Sequence, residues 1–479
     1  MDTRLLRYER LADELTQLIA ERILRPGDRL PSVRRLAHEK RLSISTVMQA
    51  LRQLEDRGQI EARPQSGFFV RSPLSGRAPL PPQDARESLP QPVAVDISSR
   101  VMRVLACNNR PELAPMGAAL PASELLPLAN LQRLYSSVGR EAGPLLGAHS
   151  HTAINHPDLV RQLVRHSFNW GQALAAEEIV ITNSCTEAMA LCLSTVARPG
   201  DTVAVESPSY YLMLQLLENL GLQALEIPTH AQHGISVDAL EVASRERRIA
   251  ACLLVSNFNN PLGSLMPDAE KKRLVELAAA RRIPIIEDDI YGNLHFGANR
   301  PWPIKSFDHA GNVMLCSSFS KILSPSLRLG YIAAGRYHAD ILMRKALNSG
   351  ATNPVTQAVV ARFLESAAFD RHVRGLRRAY EKQTMRMAEA VTHYFPPGTR
   401  LSPPQGGFVL WVELPAAVDS STLYDKAIEA GVAFVPGDLF SASRQYRNCL
   451  RLNCGNPWTP RIEAAVERLG NLVAAAASP

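Results

Sequence analysis

Ser317-Ser318-Phe319-Ser320-Lys321-Ile322-Leu323-Ser324-Pro325-Ser326-Leu327-Arg328 lies between two apolar runs, residues 313–316 and 330–334. A lone lysine, Lys321, therefore sits in a hydroxyl-rich loop between two expected buried strands. Burial strips an ammonium of its hydration and lowers its pKa, which frees the amine to attack a carbonyl. Neighbouring serines can donate to phosphate oxygens, and Arg328 adds a fixed positive charge. The set suits a Schiff-base lysine holding a phosphorylated aldehyde, pyridoxal phosphate being the obvious candidate. An exposed loop lysine among polar neighbours fits this stretch equally well, so the rest of the chain has to decide.

Outward from that loop, short apolar runs alternate with amphipathic segments. The runs fall at 179–182, 202–205, 224–227, 250–255, 284–287 and 313–316, with helical patterns at 187–196, 212–220 and 268–280 between them. Such alternation specifies a mainly parallel sheet with helices on both faces. Ligands of such sheets sit beyond the carboxyl ends of the strands. The residues placed there are Asn183-Ser184-Cys185-Thr186-Glu187, Glu206-Ser207-Pro208-Ser209-Tyr210-Tyr211, Ser256-Asn257-Phe258-Asn259-Asn260 and Glu287-Asp288-Asp289-Ile290-Tyr291. A helix opening at Cys185 offers free backbone N–H groups to a phosphate. A carboxylate after residue 286 can keep a pyridine nitrogen protonated.

The first seventy residues read differently. Residues 1–72 hold fourteen Lys/Arg against ten Asp/Glu, more than half of the chain's net +7. Residues 8–24 have helical spacing, with Leu11, Leu15, Leu18 and Ile19 on one face. Ser32 can cap a short helix over 33–40, and Ser43 a further helix through Asp56 that buries Val47, Ala50, Leu51 and Leu54. Gly58 is an expected stop, and 59–70 reads as two short strands around Arg63-Pro64-Gln65-Ser66-Gly67. Three helices and a hairpin make a winged helix-turn-helix. Residues 72–92, with six prolines, read as a semi-rigid tether.

Two resemblances follow from these residues. Arg25-Pro26-Gly27-Asp28-Arg29-Leu30-Pro31-Ser32-Val33-Arg34-Arg35-Leu36-Ala37, with Ser45-Thr46-Val47 and Leu54-Glu55-Asp56-Arg57-Gly58, resembles the signature of the GntR family of bacterial transcription regulators. That resemblance implies that Ser43, Ser45 and Thr46 open the recognition helix, that Arg34 contacts the backbone or a groove, and that Arg63, Ser66 and Gly67 form the wing tip on double-stranded DNA. Ile44 and Met48 stand where many relatives carry basic residues.

The constellation over residues 95–479 resembles the fold-type I aminotransferases. By that resemblance Lys321 forms an aldimine with pyridoxal 5'-phosphate and moves protons, Asp288 pairs with the pyridine nitrogen, and Tyr210 stacks on the ring. Asn260 and Tyr291 would meet the ring hydroxyl. Cys185, Thr186, Ser318, Ser320 and Arg328 would surround the phosphate, and Arg451, in Cys449-Leu450-Arg451-Leu452-Asn453, would fork onto the carboxylate of a substrate or effector. Ser184 and Thr186 depart from the glycine and glutamine common in relatives, Asn155 stands where a glycine is expected, and His149 and His151 read as polar loop residues.

Together the two halves resemble the MocR subgroup of regulators. The implied organisation is a winged helix-turn-helix (α+β) at 1–71, the tether at 72–92, and an α/β aminotransferase-like domain at 93–479. Its large part covers about 120–345 and its small part about 346–479 plus the N-terminal segment. The implied function is transcription regulation by sensing the cofactor, or an amino-acid or amine effector, through Lys321. An active aminotransferase (transaminase, a transferase) carrying a DNA-binding module is the alternative. A homodimer is implied, because fold-type I sites are completed across a subunit interface. Seven scattered cysteines without a Cys-x-x-Cys pair point to reduced thiols in a cytoplasmic protein, and the pattern offers no metal site. No apolar run is long enough to span a membrane.

Overall fold

The apolar stripe of the first helix finds its partners in the two helices that follow. In the computed structural model, which describes residues 7–20, 23–24, 28–56, 59–63, 67–70, 90–107, 110–147, 155–402 and 404–477, α1 (Arg7–Ala20), α2 (Val33–Lys40) and α3 (Ile44–Asp56) surround one core. Leu11, Leu15, Leu36, Val47, Leu51 and Leu54 are buried there together with Leu30, Ile60 and Val70. Each such side chain contributes roughly 1.5–3 kcal/mol by leaving water. Both caps read from the sequence are formed: Ser32 Oγ accepts from Arg35 N at 3.3 Å and Ser43 Oγ from Thr46 N at 3.1 Å. The first helix stops short of the expected residue 24, because Leu18 O accepts from both Ile23 N (2.9 Å) and Leu24 N (3.0 Å) and turns the chain. The hairpin pairs β1 (Ile60–Arg63) with β2 (Gly67–Val70), antiparallel, Arg63 opposite Gly67. Gly67 has φ +98°, which a side chain would strain. Gly58, Ser66, most of the proline-rich tether, His149 and His151 lie outside the described residues.

The second unit is built on a sheet of β3 (Val93–Ala94), β4 (Ile179–Thr182), β5 (Thr202–Ser207), β6 (Gln223–His230), β7 (Gly234–Ile235), β8 (Ala251–Leu254), β9 (Ile285–Asp288), β10 (Val313–Ser318) and β11 (Gly330–Ala333). The order is β3-β6-β5-β8-β9-β10-β11-β4, with β7 on β6. The strands from β6 to β10 in that order run parallel, and β11 is antiparallel to both of its neighbours. Strands buried on both sides read as unbroken apolar runs, which is why these segments show no alternation. Register sets the edge that matters: Cys316 lies beside Asp288, Ser318 beside Gly330, and Gly330 beside Thr182. A Cβ on Gly330 would meet Ser317 O and Ser184 C at 2.8 Å, so only glycine allows this approach.

A smaller antiparallel sheet, β12 (Arg400–Leu401), β13 (Val409–Glu413), β15 (Cys449–Asn453) and β14 (Val435–Pro436), carries Arg451 at its centre. The turn before β13 is tied to the large sheet: Phe296 N donates to Gln405 O at 3.0 Å and Gly407 N to Leu294 O at 2.9 Å. Among the described residues, no helix is long and apolar enough to cross a membrane.

Candidate active site and DNA-reading surface

Lys321 leaves the end of β10 and turns back over the sheet edge, where its Nζ donates to Ala119 O at 2.6 Å. Burial is the main force on this amine and brings its pKa down to about 8; Arg451 pushes the same way, while Asp288 and Cys185 oppose. A substantial share of the amine is therefore neutral near physiological pH. That is the state a carbonyl nucleophile needs.

Asp288 ends β9 next to it and is 4% exposed. Burial raises its carboxyl to about 6; hydrogen bonds from Cys185 Sγ (3.3 Å) and Ile290 N (3.1 Å) and the charge of Lys321 hold it from rising further, and Asp289 adds to the rise. Tyr291 is buried 3.5 Å (OH) from Asn260 Nδ2, and burial raises its phenol. Tyr210 packs on Tyr211 at 4.8 Å between ring centroids; burial raises its phenol as well, with Tyr291, Arg451 and Asp288 close enough to act on it. Five residues from four separate stretches thus converge: Lys321, Asp288, Tyr291, Asn260 and Tyr210.

The phosphate side is less tidy. Ser184 Oγ caps the helix Cys185–Val196 by accepting from Glu187 N at 3.1 Å. Ser318 is buried at the edge and Ser320 is half-buried beside it, whereas Thr186 and Arg328 are exposed. Arg328 has φ +47° at the close of a short 3-10 turn, an unusual backbone for arginine. Cys185 opens the helix that Ser184 caps. Its thiol, raised far above the usual range by burial, donates to Asp288 Oδ1 at 3.3 Å, and its backbone N–H lies at the start of the helix. Asn155 explains its departure from glycine: Nδ2 donates to Ile179 O at 2.6 Å and Oδ1 accepts from Ile181 N at 2.8 Å, so the side chain pairs with β4 as a strand would.

Arg451 is fully buried, its Nη2 donating to Gly117 O at 2.6 Å. Its Nε and Nη1, and Oδ1 of Asn260, are buried with no hydrogen-bond partner among the described residues. Buried polar atoms left this way are costly, so such a site is made to receive a polar guest. A fork for a carboxylate and an acceptor beside a tyrosine hydroxyl match the donor set that pyridoxal phosphate and an amino acid would use. Sequence reading missed the segment that supplies Gly117 O and Ala119 O, since 115–121 is Pro-Met-Gly-Ala-Ala-Leu-Pro, without periodicity or charge. Glu206, placed at the ligand edge by the sequence but given no role there, is buried at the end of β5 and raised by burial to about 8 against the Val255 N–H bond (2.9 Å) and Asn259.

On the reader, Arg34 is exposed on α2, while its neighbour Arg35 is held by Glu39 at 2.7 Å. Ser43 Oγ lies 2.8 Å from Ser45 Oγ and 2.7 Å from Thr46 Oγ1 at the mouth of α3, with Ile44 55% exposed beside them. The hydroxyls thus present one connected patch with an apolar neighbour. Gly67 is exposed at the start of β2; Ser66 and the side chain of Arg63 lie outside the described residues.

A lysine over a parallel sheet edge, a buried carboxylate beside it and an arginine from a second small sheet define the aminotransferase scaffold, here preceded by a winged helix-turn-helix. Residues 147–469 match the aminotransferase class I and II family and residues 7–70 the gntR family of bacterial regulatory proteins. The chain belongs to both families and has the joint architecture of the MocR subgroup. It is 38% identical to the uncharacterized HTH-type transcriptional regulator YjiR of Escherichia coli over 98% of each chain. Among solved structures it is similar to Pyrococcus horikoshii kynurenine aminotransferase in complex with PMP, KYN as substrates and KYA as products (27% identity, TM-score 0.74, 79% of this chain and 95% of that one). It is also similar to LysN, the alpha-aminoadipate aminotransferase of Thermus thermophilus complexed with N-(5'-phosphopyridoxyl)-L-leucine (28% identity, TM-score 0.72, 78% and 94%).

Proposed function

We propose that this regulator binds pyridoxal phosphate covalently at Lys321 and changes its grip on DNA when an amino compound enters the same site. The observation that carries the reading is the convergence of a Lys321 amine near pH 8, the Asp288 carboxylate and the open fork of Arg451. The two solved relatives, which hold PMP and a phosphopyridoxyl amino acid, support it. When bound, pyridoxal phosphate supplies an aldehyde that condenses with amines and a ring that draws electrons. Asp288, ionised above about pH 6, holds a proton on the ring nitrogen. Asn260 and Tyr291 orient the ring hydroxyl, and Tyr210 covers a ring face. The free N–H groups of Cys185 and Thr186, with Ser318, Ser320 and Arg328, bind the phosphate. Arg451 takes the effector's carboxylate, which selects amino acids over simple amines. Lys321 would hold the cofactor's aldehyde and, when its amine is free, would move protons.

The reader's hydroxyl patch at Ser43, Ser45 and Thr46 meets double-stranded DNA, with Arg34 and the wing residues Arg63, Ser66 and Gly67 on phosphates. A homodimer would bring two readers to two half-sites in the cytoplasm, and Met343 (59%) and Leu347 (80%), exposed one turn apart on one helix, suit such an interface. Domain limits of 1–71, 72–92 and 93–479 follow from the same reading, as does the division of the last near residue 345.

Fluorescence anisotropy on promoter DNA tests the sensing claim, comparing cofactor-free protein, loaded protein, and loaded protein with each amino acid in turn. Affinity should change with at least one amino acid, and Lys321→Ala should abolish that response. Equal affinity in every state would refute sensing. A second reading, turnover as an aminotransferase, is favoured by the intact set of Lys321, Asp288 and Arg451. Keto-acid formation from an amino-acid panel separates the two.

A further inference from the structure

Behind the loop that carries Lys321, a cavity of about 200 Å³ opens between the helices Pro157–Ser167 and Ala367–Tyr394 and the segment after Tyr291. One side of it is apolar, with Leu163, Trp170, Phe319, Ile322, Phe369 and Val373, and the other is polar, with three arginines against one carboxylate. Arg300 is already satisfied: it pairs with Asp289, and its guanidinium lies 4.1 Å from the centre of the Trp170 ring. Arg374 and Arg377 form no ion pair with a carboxylate among the described residues. Arg377 donates to Nε2 of His295, whose Nδ1 donates to Gly297 O at 2.8 Å. That tautomer leaves His295 neutral, and burial together with Arg377 and Arg300 keeps its pKa low. His166 is engaged through Nε2 with Leu364 O at 3.0 Å. One carboxylate, Asp370, faces the cavity against these two arginines. The half-buried Arg377 guanidinium spends one of its five N–H groups on a neutral ring and keeps the others available to a ligand at the cavity.

We propose that this cavity binds a small monocarboxylate with an apolar body, its carboxylate on Arg377 and its body against Trp170, Phe319 and Phe369. The planar fork of arginine matches a carboxylate, and aromatic walls take the rest. An occupant would touch two elements of the active site from behind. Phe319 and Ile322 flank Lys321, and Ile322 O accepts from His372 Nε2 at 2.6 Å. His295 bridges to Gly406, in the turn that leads into the small sheet. The pocket is thus a second effector site, separate from the one at Arg451.

Fluorine NMR of 4-fluorobenzoate with the full-length protein tests this, with 4-fluorobenzamide as the uncharged probe. The benzoate should bind, and the amide about tenfold or more weaker, since a hydrogen bond to a charged group is lost. Arg377→Gln should weaken the benzoate by a similar factor. Val373→Phe should do the same by filling the cavity with Arg377 in place, and Arg451→Gln should leave binding within about twofold. No binding of the benzoate at millimolar concentration, equal binding of the amide, or loss in Arg451→Gln with retention in Arg377→Gln would each overturn the proposal. None of these readings depends on pyridoxal phosphate, so failure here leaves the cofactor reading standing, and the reverse.

Discussion

Replacing Asp288 by Asn should make the cofactor-free protein more stable at neutral pH, and the gain should depend on pH. The carboxyl is 4% exposed and its pKa is raised from 3.8 to about 6, chiefly by burial. For an acid raised in this way, the stabilising contribution is present below the unfolded value and is lost as pH rises through the folded one. A carboxyl displaced that far costs the fold roughly 3 kcal/mol once it is ionised. Asparagine has no such titration, and its Oδ1 can still accept from Cys185 Sγ and Ile290 N. Between about pH 5 and about pH 7.5, the stability gap between Asp288→Asn and the parent should therefore widen by roughly 1.4 kcal/mol in favour of the variant. Differential scanning calorimetry of both proteins without cofactor, following the large unit's transition at several pH values, measures the gap. Above about pH 7 it should level off. A gap that is constant with pH, or that favours the parent increasingly as pH rises, would refute the reasoning. A site that costs stability when empty is expected where function, not folding, selected the charge.

Other outcomes follow from the same geometry. Lys345 is fully buried and held by Glu187 at 3.1 Å, so Glu187→Ala should destabilise the protein by about 3 kcal/mol, leaving the ammonium only the Ser349 hydroxyl. Adding Lys345→Met to that variant should recover most of the loss in a urea titration. On the reader, Arg34→Ala should weaken DNA binding about equally for specific and random duplexes and flatten the slope of log affinity against log salt by about one unit. Arg35→Ala, which removes a side chain already paired with Glu39, should change that slope less. Ser43→Ala should lower the reader's stability by about 1 kcal/mol through the lost cap, visible as an earlier thermal transition of that unit.

What the chain revealed in its sequence was what local chemistry imposes. Apolar runs at the sheet strands, caps at Ser32 and Ser43, and polar clusters after each strand follow from backbone rules, and the structure places them accordingly. Lys321, Asp288, Asn260, Tyr291 and Tyr210 are legible because each ends or follows a strand at the same edge of the sheet. What stayed hidden depends on approach between distant segments. The carbonyls of Gly117 and Ala119 carry no side-chain signal, yet they receive the Arg451 and Lys321 donors. The bond from the Cys185 thiol to Asp288 joins two stretches about a hundred residues apart and escapes a one-dimensional reading. Asn155 departs from the family pattern because its amide does the work of a strand, and only the fold makes that evident.

Lys321 is the residue expected to capture pyridoxal phosphate. Incubation of the full-length protein with pyridoxal phosphate, reduction with borohydride and mass spectrometry of its peptides locates the attachment. The expected result is a phosphopyridoxyl label on Lys321 alone, absent from Lys321→Ala. A label on other lysines only, such as Lys271 or Lys345, or no label at all, would contradict it.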